Sequence, residues 1–360
     1  MTGVRRDSGR RELDEDDVRA RPGKGSRPRT RERPEHADAV DGVVVAVDRG
    51  RYTCRRTAAD GRAVHPGPER AKDERARAAR DQAGALIEAI RGGDVRRVPV
   101  VVGDRVSLVG DTSGRPGALA RIVRRAERTS VLRRTADDTD PSERPIVANA
   151  DRLVIVAALA DPPPRTGLID RCLVAAYDGG LEPVLCLTKA DLADDGALRE
   201  LYRPLGVMIV TSRPDVDPAE LRELITGQVS VMFGHSGVGK STLVNRLVPD
   251  AAQEIGAVNA VTGRGRHTSS AAVALPVPGG GWVVDTPGVR SFGLGAVSLA
   301  RVLGAFGELA EAAADCPPGC THAEGLADCG LDEAVRAGRA EPARLASLRR
   351  LLAARGGTAA

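Results

Sequence analysis

Three stretches of this chain carry side chains whose types and spacing could do chemistry. The first, GHSGVGKST at residues 234–242, fits G-x-x-x-x-G-K-[ST] and stands between an apolar strand-like run, VSVMF, and a helix-like run, TLVNRLV. In that setting the backbone N–H groups of Gly234, His235, Ser236, Gly237, Val238 and Gly239 can converge on phosphate oxygens. Lys240 would neutralise the β- and γ-phosphates, and Ser241, followed by Thr242, would offer a hydroxyl to Mg²⁺. An unliganded glycine-rich turn is the plain alternative, and the flanking strand and helix weigh against it. Downstream, WVVDTPG places Asp285 and Gly288 after another apolar strand, where a Mg²⁺-side carboxylate and a γ-phosphate-sensing glycine would sit.

The second stretch, Thr188-Lys189-Ala190-Asp191, ends the apolar run VLCL. Alone it reads better as a strand end whose Asp caps the next helix. Beside a phosphate loop it gains a sharper reading. The Asp191 carboxylate can accept both the ring N–H and the exocyclic amino group of guanine, a donor pair that adenine lacks. Lys189 can lie along the base, and Thr188 keeps a hydroxyl to brace the loop where guanine readers usually carry Asn. Thr211 and Ser212, ending the next apolar run, fit the backbone loop that closes over the base. The third stretch spaces Cys316, Cys320, His322 and Cys329 as C-x3-C-x-H-x6-C. Three thiolates and one imidazole complete a tetrahedral Zn²⁺ shell with no position left for water, which makes the site structural. A loop of free thiols is the alternative. Cys54, Cys172 and Cys186 fall in apolar or strand contexts and are expected to be packed.

The elements that must hold these groups follow from texture along the chain. Residues 1–37 are charged, punctuated by Pro and Gly, and nearly free of large apolar residues, so they read as a disordered basic tail. Between 38 and 135, short β-rich runs broken by Gly and Asp, beginning with the hairpin signal DGVVVAVDRGRYTCRR, suggest an OB-like barrel. Its interruption at 66–97 has helical composition through ERAKDERARAARDQAGALIEAI and reads as an insertion. From 136 to 297, apolar runs alternate with helical stretches, which implies a parallel sheet covered on both faces. Residues 298–360 are helical and Ala-rich around the cysteine cluster. The N-terminus has no apolar core of the kind a secretory signal needs and no run is long enough to span a bilayer, so a cytoplasmic protein with no membrane partner is expected, its thiols reduced. Net charge is +4, built almost wholly on arginine, and aromatics make up 2% of the chain, so nucleic-acid contact should run through arginine and phosphate more than base stacking. Arg51, Arg55 and Arg56 of the barrel are candidates for it.

The parts occur in the order base reader, base closure, phosphate loop, D-x-x-G, a circular permutation of the usual GTPase order. With VVGDRV, SVLRR, VANADRLVIVAAL, GRGRHTSS and DTPGVRSFGL, the chain resembles the RsgA family of circularly permuted, small-ribosomal-subunit-dependent GTPases along nearly its whole length. The resemblance implies an N-terminal OB barrel, a permuted P-loop GTPase domain and a small zinc domain. It implies GTP hydrolysis during late small-subunit maturation, stimulated by that subunit, with GTP, GDP and rRNA as ligands and partners, and a monomeric chain. Departures are the Thr of TKAD, the tail, the insertion, and HTSS where the family usually shows HTTT, which leaves Thr268 and Ser269 as alternative Mg²⁺ ligands. Val289 stands where many GTPases place a water-orienting Gln, so His267 becomes a candidate for hydrolysis or for a phosphate- or RNA-facing role. A permuted GTPase acting on another RNA–protein particle, and a non-hydrolysing RNA scaffold, are the competing readings.

Overall fold

The computed structural model describes residues 36–57, 85–137, 140–251, 255, 272–286, 297–326 and 328–355. The expected tail, most of the expected insertion and the GRGRHTSS segment lie outside them. Five strands form the first part: β1 (Val40–Asp48), β2 (Arg51–Arg56), β3 (Leu86–Arg91), β4 (Arg105–Gly110) and β5 (Ala120–Arg125). They pair in the cycle β1-β2-β3-β5-β4-β1, with β3 and β5 parallel, which closes the OB-like barrel. The D-R-G turn forms the hairpin its sequence suggests, since Asp48 pairs with Arg51 and both intervening residues have positive φ, 42° at Arg49 and 86° at Gly50.

One expectation is corrected here. Leu86–Arg91, the end of the stretch with helical composition, is a barrel strand. Its side chains alternate, with Ile87 and Ala89 buried in the barrel core, and pairing with β2 on one side and β5 on the other overrides the helical preference of Ala and Glu.

A bulge between Val44 and Ala46 lets β1 serve two cores. Val44 packs inside the barrel, Val45 packs into the larger core beyond it, and Ala46 pairs with Val273 of β12 (Val273–Pro276). The barrel thereby continues into a six-stranded sheet ordered β10-β9-β8-β11-β13-β12, made of β8 (Arg152–Ala158), β9 (Glu182–Thr188), β10 (Met208–Ser212), β11 (Val229–Phe233), β12 and β13 (Trp282–Asp285). All pairs are parallel except β12–β13. Strand β8 shows why its sequence is continuously apolar: Leu153, Ile155 and Ala157 face one core, Val154, Val156 and Ala158 the other. Helix α1 (Thr166–Gly179) covers the first face with α2 (Gly196–Tyr202), while α3 (Ala219–Ile225) and α4 (Lys240–Leu247) cover the second.

Between barrel and sheet, β6 (Val131–Asp137) and β7 (Asp140–Ala148) form a hairpin, and the division expected after residue 135 falls inside it. The seam is polar and satisfied. Asn149 donates to the Gly103 carbonyl at 2.9 Å and accepts from Thr129 N at 3.0 Å, and fully buried Asp104 accepts from Arg128 Nε at 2.8 Å. Four α-helices follow among the described residues: α5 (Leu299–Gly304), α6 (Gly307–Ala312), α7 (Gly330–Arg336) and α8 (Pro342–Arg355). Leu309, Leu345 and Leu348 of these helices, with Phe306 just before α6, share one core with Leu173 and Tyr202 of the sheet's helical layer.

Candidate functional site

The nucleotide-type site stands at the carboxyl ends of the parallel strands, where open α/β sheets place ligands. Strand β11 runs into the loop 234–239, and α4 begins at Lys240 after Gly239, whose φ of 87° is the left-handed conformation that favours glycine. Gly234 has no room for a side chain, because a Cβ there would lie 2.7 Å from the Val156 carbonyl oxygen. Gly234, His235, Ser236, Gly237, Gly239, Lys240, Ser241 and Thr242 line one open cleft of about 1040 Å³ together with Lys189. Val238 turns inward and is fully buried.

Asp285 ends β13 next to β11, in register with Met232, and its carboxylate is paired with Lys240 Nζ. The neighbouring Thr286 is buried and donates to the Met232 carbonyl at 3.0 Å, fixing the exit of β13 against the loop strand. Sequence reasoning passed over Thr286, although it lies inside the same D-T-P-G. Gly288 lies outside the described residues, as do His267, Thr268, Ser269 and Val289.

The TKAD loop, the expected base reader, is tied directly to the loop 234–239. Thr188, buried at 6% exposure, donates from Oγ1 to the Val238 carbonyl at 2.6 Å. Lys189 adopts a φ of 57° and its Nζ donates to the Asp161 carbonyl. Asp191 is exposed. Ser212, opposite Thr188 in the β9–β10 register, accepts from Ala190 N at 3.3 Å through its carbonyl, so β10 supports the TKAD loop through backbone; Thr211 is exposed beside it. Two further lining residues, Arg165 and Leu168 at the start of α1, had no motif to mark them.

The second site lies on the segment that joins α6 to α7. The ligand atoms of Cys316, Cys320, His322 and Cys329 all lie within 4.8 Å of one another. Nδ1 of His322 is 3.5 Å from Sγ of Cys316, 3.5 Å from Sγ of Cys320 and 3.9 Å from Sγ of Cys329, so this set can hold one metal ion. Burial, with Arg349 adding to it, lowers the His322 pKa and favours the neutral, ligating imidazole. Burial raises the Cys316 thiol pKa against an opposing hydrogen bond from Gly330 N to its sulfur at 3.1 Å. Arg349 braces the loop from α8, donating to the His322 carbonyl at 3.0 Å and to Asp332 at 2.7 Å. The remaining cysteines are packed as expected: burial pushes Cys54 and Cys186 up to about 12 and Cys172 well above its ordinary range.

A sequence model described as RsgA GTPase matches residues 125–295. A protein of Pseudomonas aeruginosa (strain LESB58) called "Small ribosomal subunit biogenesis GTPase RsgA" is 39% identical over 71% of this chain and 75% of its own length. This chain belongs to the RsgA GTPase family. A relative of the same name from Azotobacter vinelandii is 39% identical over 71% of this chain and 74% of its own. Among solved structures, YjeQ from Thermotoga maritima is 25% identical, with a TM-score of 0.57, over 89% of this chain and all of its own. YloQ, titled a circularly permuted GTPase, shares the fold with a TM-score of 0.58 at 22% identity, over 89% of this chain and 96% of its own. Strand β9, which carries TKAD, precedes β11, which carries GHSGVGKST, in the chain, while the two flank β8 in the sheet.

Proposed function

We infer that this chain is a GTP hydrolase acting in small-ribosomal-subunit maturation. The observation that carries the reading is the hydrogen bond from Thr188 to Val238, which makes the guanine reader and the phosphate loop one unit beside Asp285. Curated relatives at 39% identity bear the name of a small-subunit biogenesis GTPase, which supplies the particle. Ser241 and Asp285 offer the hard oxygen donors that suit Mg²⁺, and the Asp285 carboxylate already faces the loop through Lys240. When bound, that ion would neutralise charge on the β- and γ-phosphates; Thr268 or Ser269 would add a hydroxyl and His267 would act on hydrolysis once the subunit is engaged.

For the metal centre, zinc fits best. Tetrahedral Zn–S and Zn–N bonds imply S···N edges of about 3.6 Å, close to the 3.5, 3.5 and 3.9 Å found at His322. The subunit's rRNA would be met by arginine. Two of the arginines singled out from sequence are committed elsewhere: Arg51 pairs with Glu88, and Arg55, at 5% exposure, stacks 5.2 Å from the Trp282 ring centroid. The exposed Arg105, Arg121 and Arg124 on the neighbouring strands β4 and β5 are better placed. No helix among the described residues is long and apolar enough to cross a membrane; the relatives' naming for small-subunit biogenesis supports a cytoplasmic setting, and a monomer is part of the same proposal.

Sedimentation with purified small and large subunits tests this reading. The chain should co-sediment with the small subunit in the presence of a GTP analogue, less with GDP, and less as salt rises. GTP hydrolysis should accelerate when small subunits are added. Binding to the large subunit alone, or equal binding with either nucleotide, would count against it.

A further inference from the structure

Arg165 immediately precedes α1 and lines the same cleft as the phosphate loop. With Leu168 it also lines a smaller pocket against Ile155, Phe233, Gly234 and His235, which places it at the strand end of the loop. The base reader meets the opposite end. Thr188 bonds to the Val238 carbonyl, and a Cβ added at Gly239 would lie 3.9 Å from the Thr188 side chain. A nucleotide with its base at Asp191 must run its phosphates along the loop, so the terminal phosphate lies farthest from the base, toward Gly234 and His235.

The charges of the cleft point the same way. Lys189 Nζ is held by the Asp161 carbonyl and Lys240 by Asp285. The Arg165 side chain is exposed and has no ion-pair or hydrogen-bond partner among the described residues, its backbone carbonyl alone accepting, from Leu168 N and Ile169 N. A guanidinium offers paired N–H donors whose spacing matches two oxygens of one phosphate, which a lysine cannot reproduce. We propose that Arg165 contacts the terminal phosphate of GTP and so distinguishes GTP from GDP, an inference that rests on the GTPase reading of the cleft.

Equilibrium titration of full-length wild type, Arg165→Ala and Arg165→Lys with a fluorescent non-hydrolysable GTP analogue and with fluorescent GDP tests it. Arg165→Ala should weaken the analogue about tenfold while GDP stays within about twofold, and Arg165→Lys should recover part of the loss. Retained GDP binding doubles as proof that the variant is folded. Equal weakening of both nucleotides, or no change in either, overturns the assignment. Wild-type protein that fails to prefer guanine over adenine nucleotides in the same titration overturns the GTPase reading and the proposal with it, an outcome told apart because it appears without any substitution.

Discussion

Thr188 stands where guanine-reading loops usually carry Asn, and its short side chain still spans to the phosphate loop because β9 and β11 are separated only by β8. The hydroxyl is buried, so its bond to the Val238 carbonyl is shielded from competing water. Thr188→Val keeps the volume and removes the donor, leaving that carbonyl without this partner. Affinity for GTP and for GDP should fall together, by about five- to tenfold, with preference over ATP retained because the proposed contact of Asp191 with the base is untouched. Titration with both guanine nucleotides and with ATP checks this, and a loss confined to GTP would show that Thr188 serves a phosphate and not the loop. The parallel loss is also what separates Thr188 from Arg165.

Among the elements, the seam between barrel and nucleotide sheet depends on one glycine in the VVGDRV motif. Gly103 has a φ of 87° and packs so closely on the Ala148 backbone that an added Cβ would overlap the Ala148 carbonyl oxygen. Its N–H donates to the Val44 carbonyl at 2.8 Å and its carbonyl accepts from Asn149, so the same residue joins β1, the β6–β7 hairpin and the start of β8. Gly103→Ala would combine an unfavourable φ with a backbone clash that no side-chain rotation can relieve. It should destabilise the fold by more than about 2 kcal/mol, measured as a lower urea midpoint at unchanged m value. A midpoint equal to wild type would mean that the seam yields more readily than its geometry implies.

At the scale of the whole molecule, the metal centre is continuous with the nucleotide core. Cys329 and Leu331 lie in the same apolar cluster as Leu173 and Tyr202, and Arg350 on α8 donates to buried Asp170 on α1 at 3.0 Å. Burial raises the Asp170 pKa and Arg350 opposes that shift, so removing the guanidinium would leave a carboxyl without its charge partner. Elemental analysis should find one zinc per chain. Because metal binding is largely folding energy, stripping it with a chelator should lower the thermal midpoint of the Asp38–Ala360 unit in a single transition. A separate low-temperature transition for the C-terminal helices would show that they fold apart from the sheet, and metal-replete protein without zinc would remove the assignment.

At short range the candidate chemistry is legible in the sequence. GHSGVGKST, TKAD, DTPG and the Cys/His spacing are contiguous patterns of the kind a phosphate, a purine or a metal ion demands of its neighbours; the structure gathers most of the first into one cleft with Lys189, and the four Cys/His ligand atoms into one cluster. Alternation of texture was likewise enough to reveal the barrel and the doubly covered sheet. Only the tertiary structure decided which distant segments meet. LIEAIR satisfies both a helical composition and a two-residue period, and its partners β2 and β5 made it a strand. Arg55 looks like any surface arginine until Trp282, more than two hundred residues away, covers it. Arg165 carries no motif, and the packing of α1 beside β11 brings it to the cleft. Local spacing records the geometry of a ligand, whereas long-range pairing is selected by which apolar faces can be buried together, and that choice is settled only when the whole chain has folded.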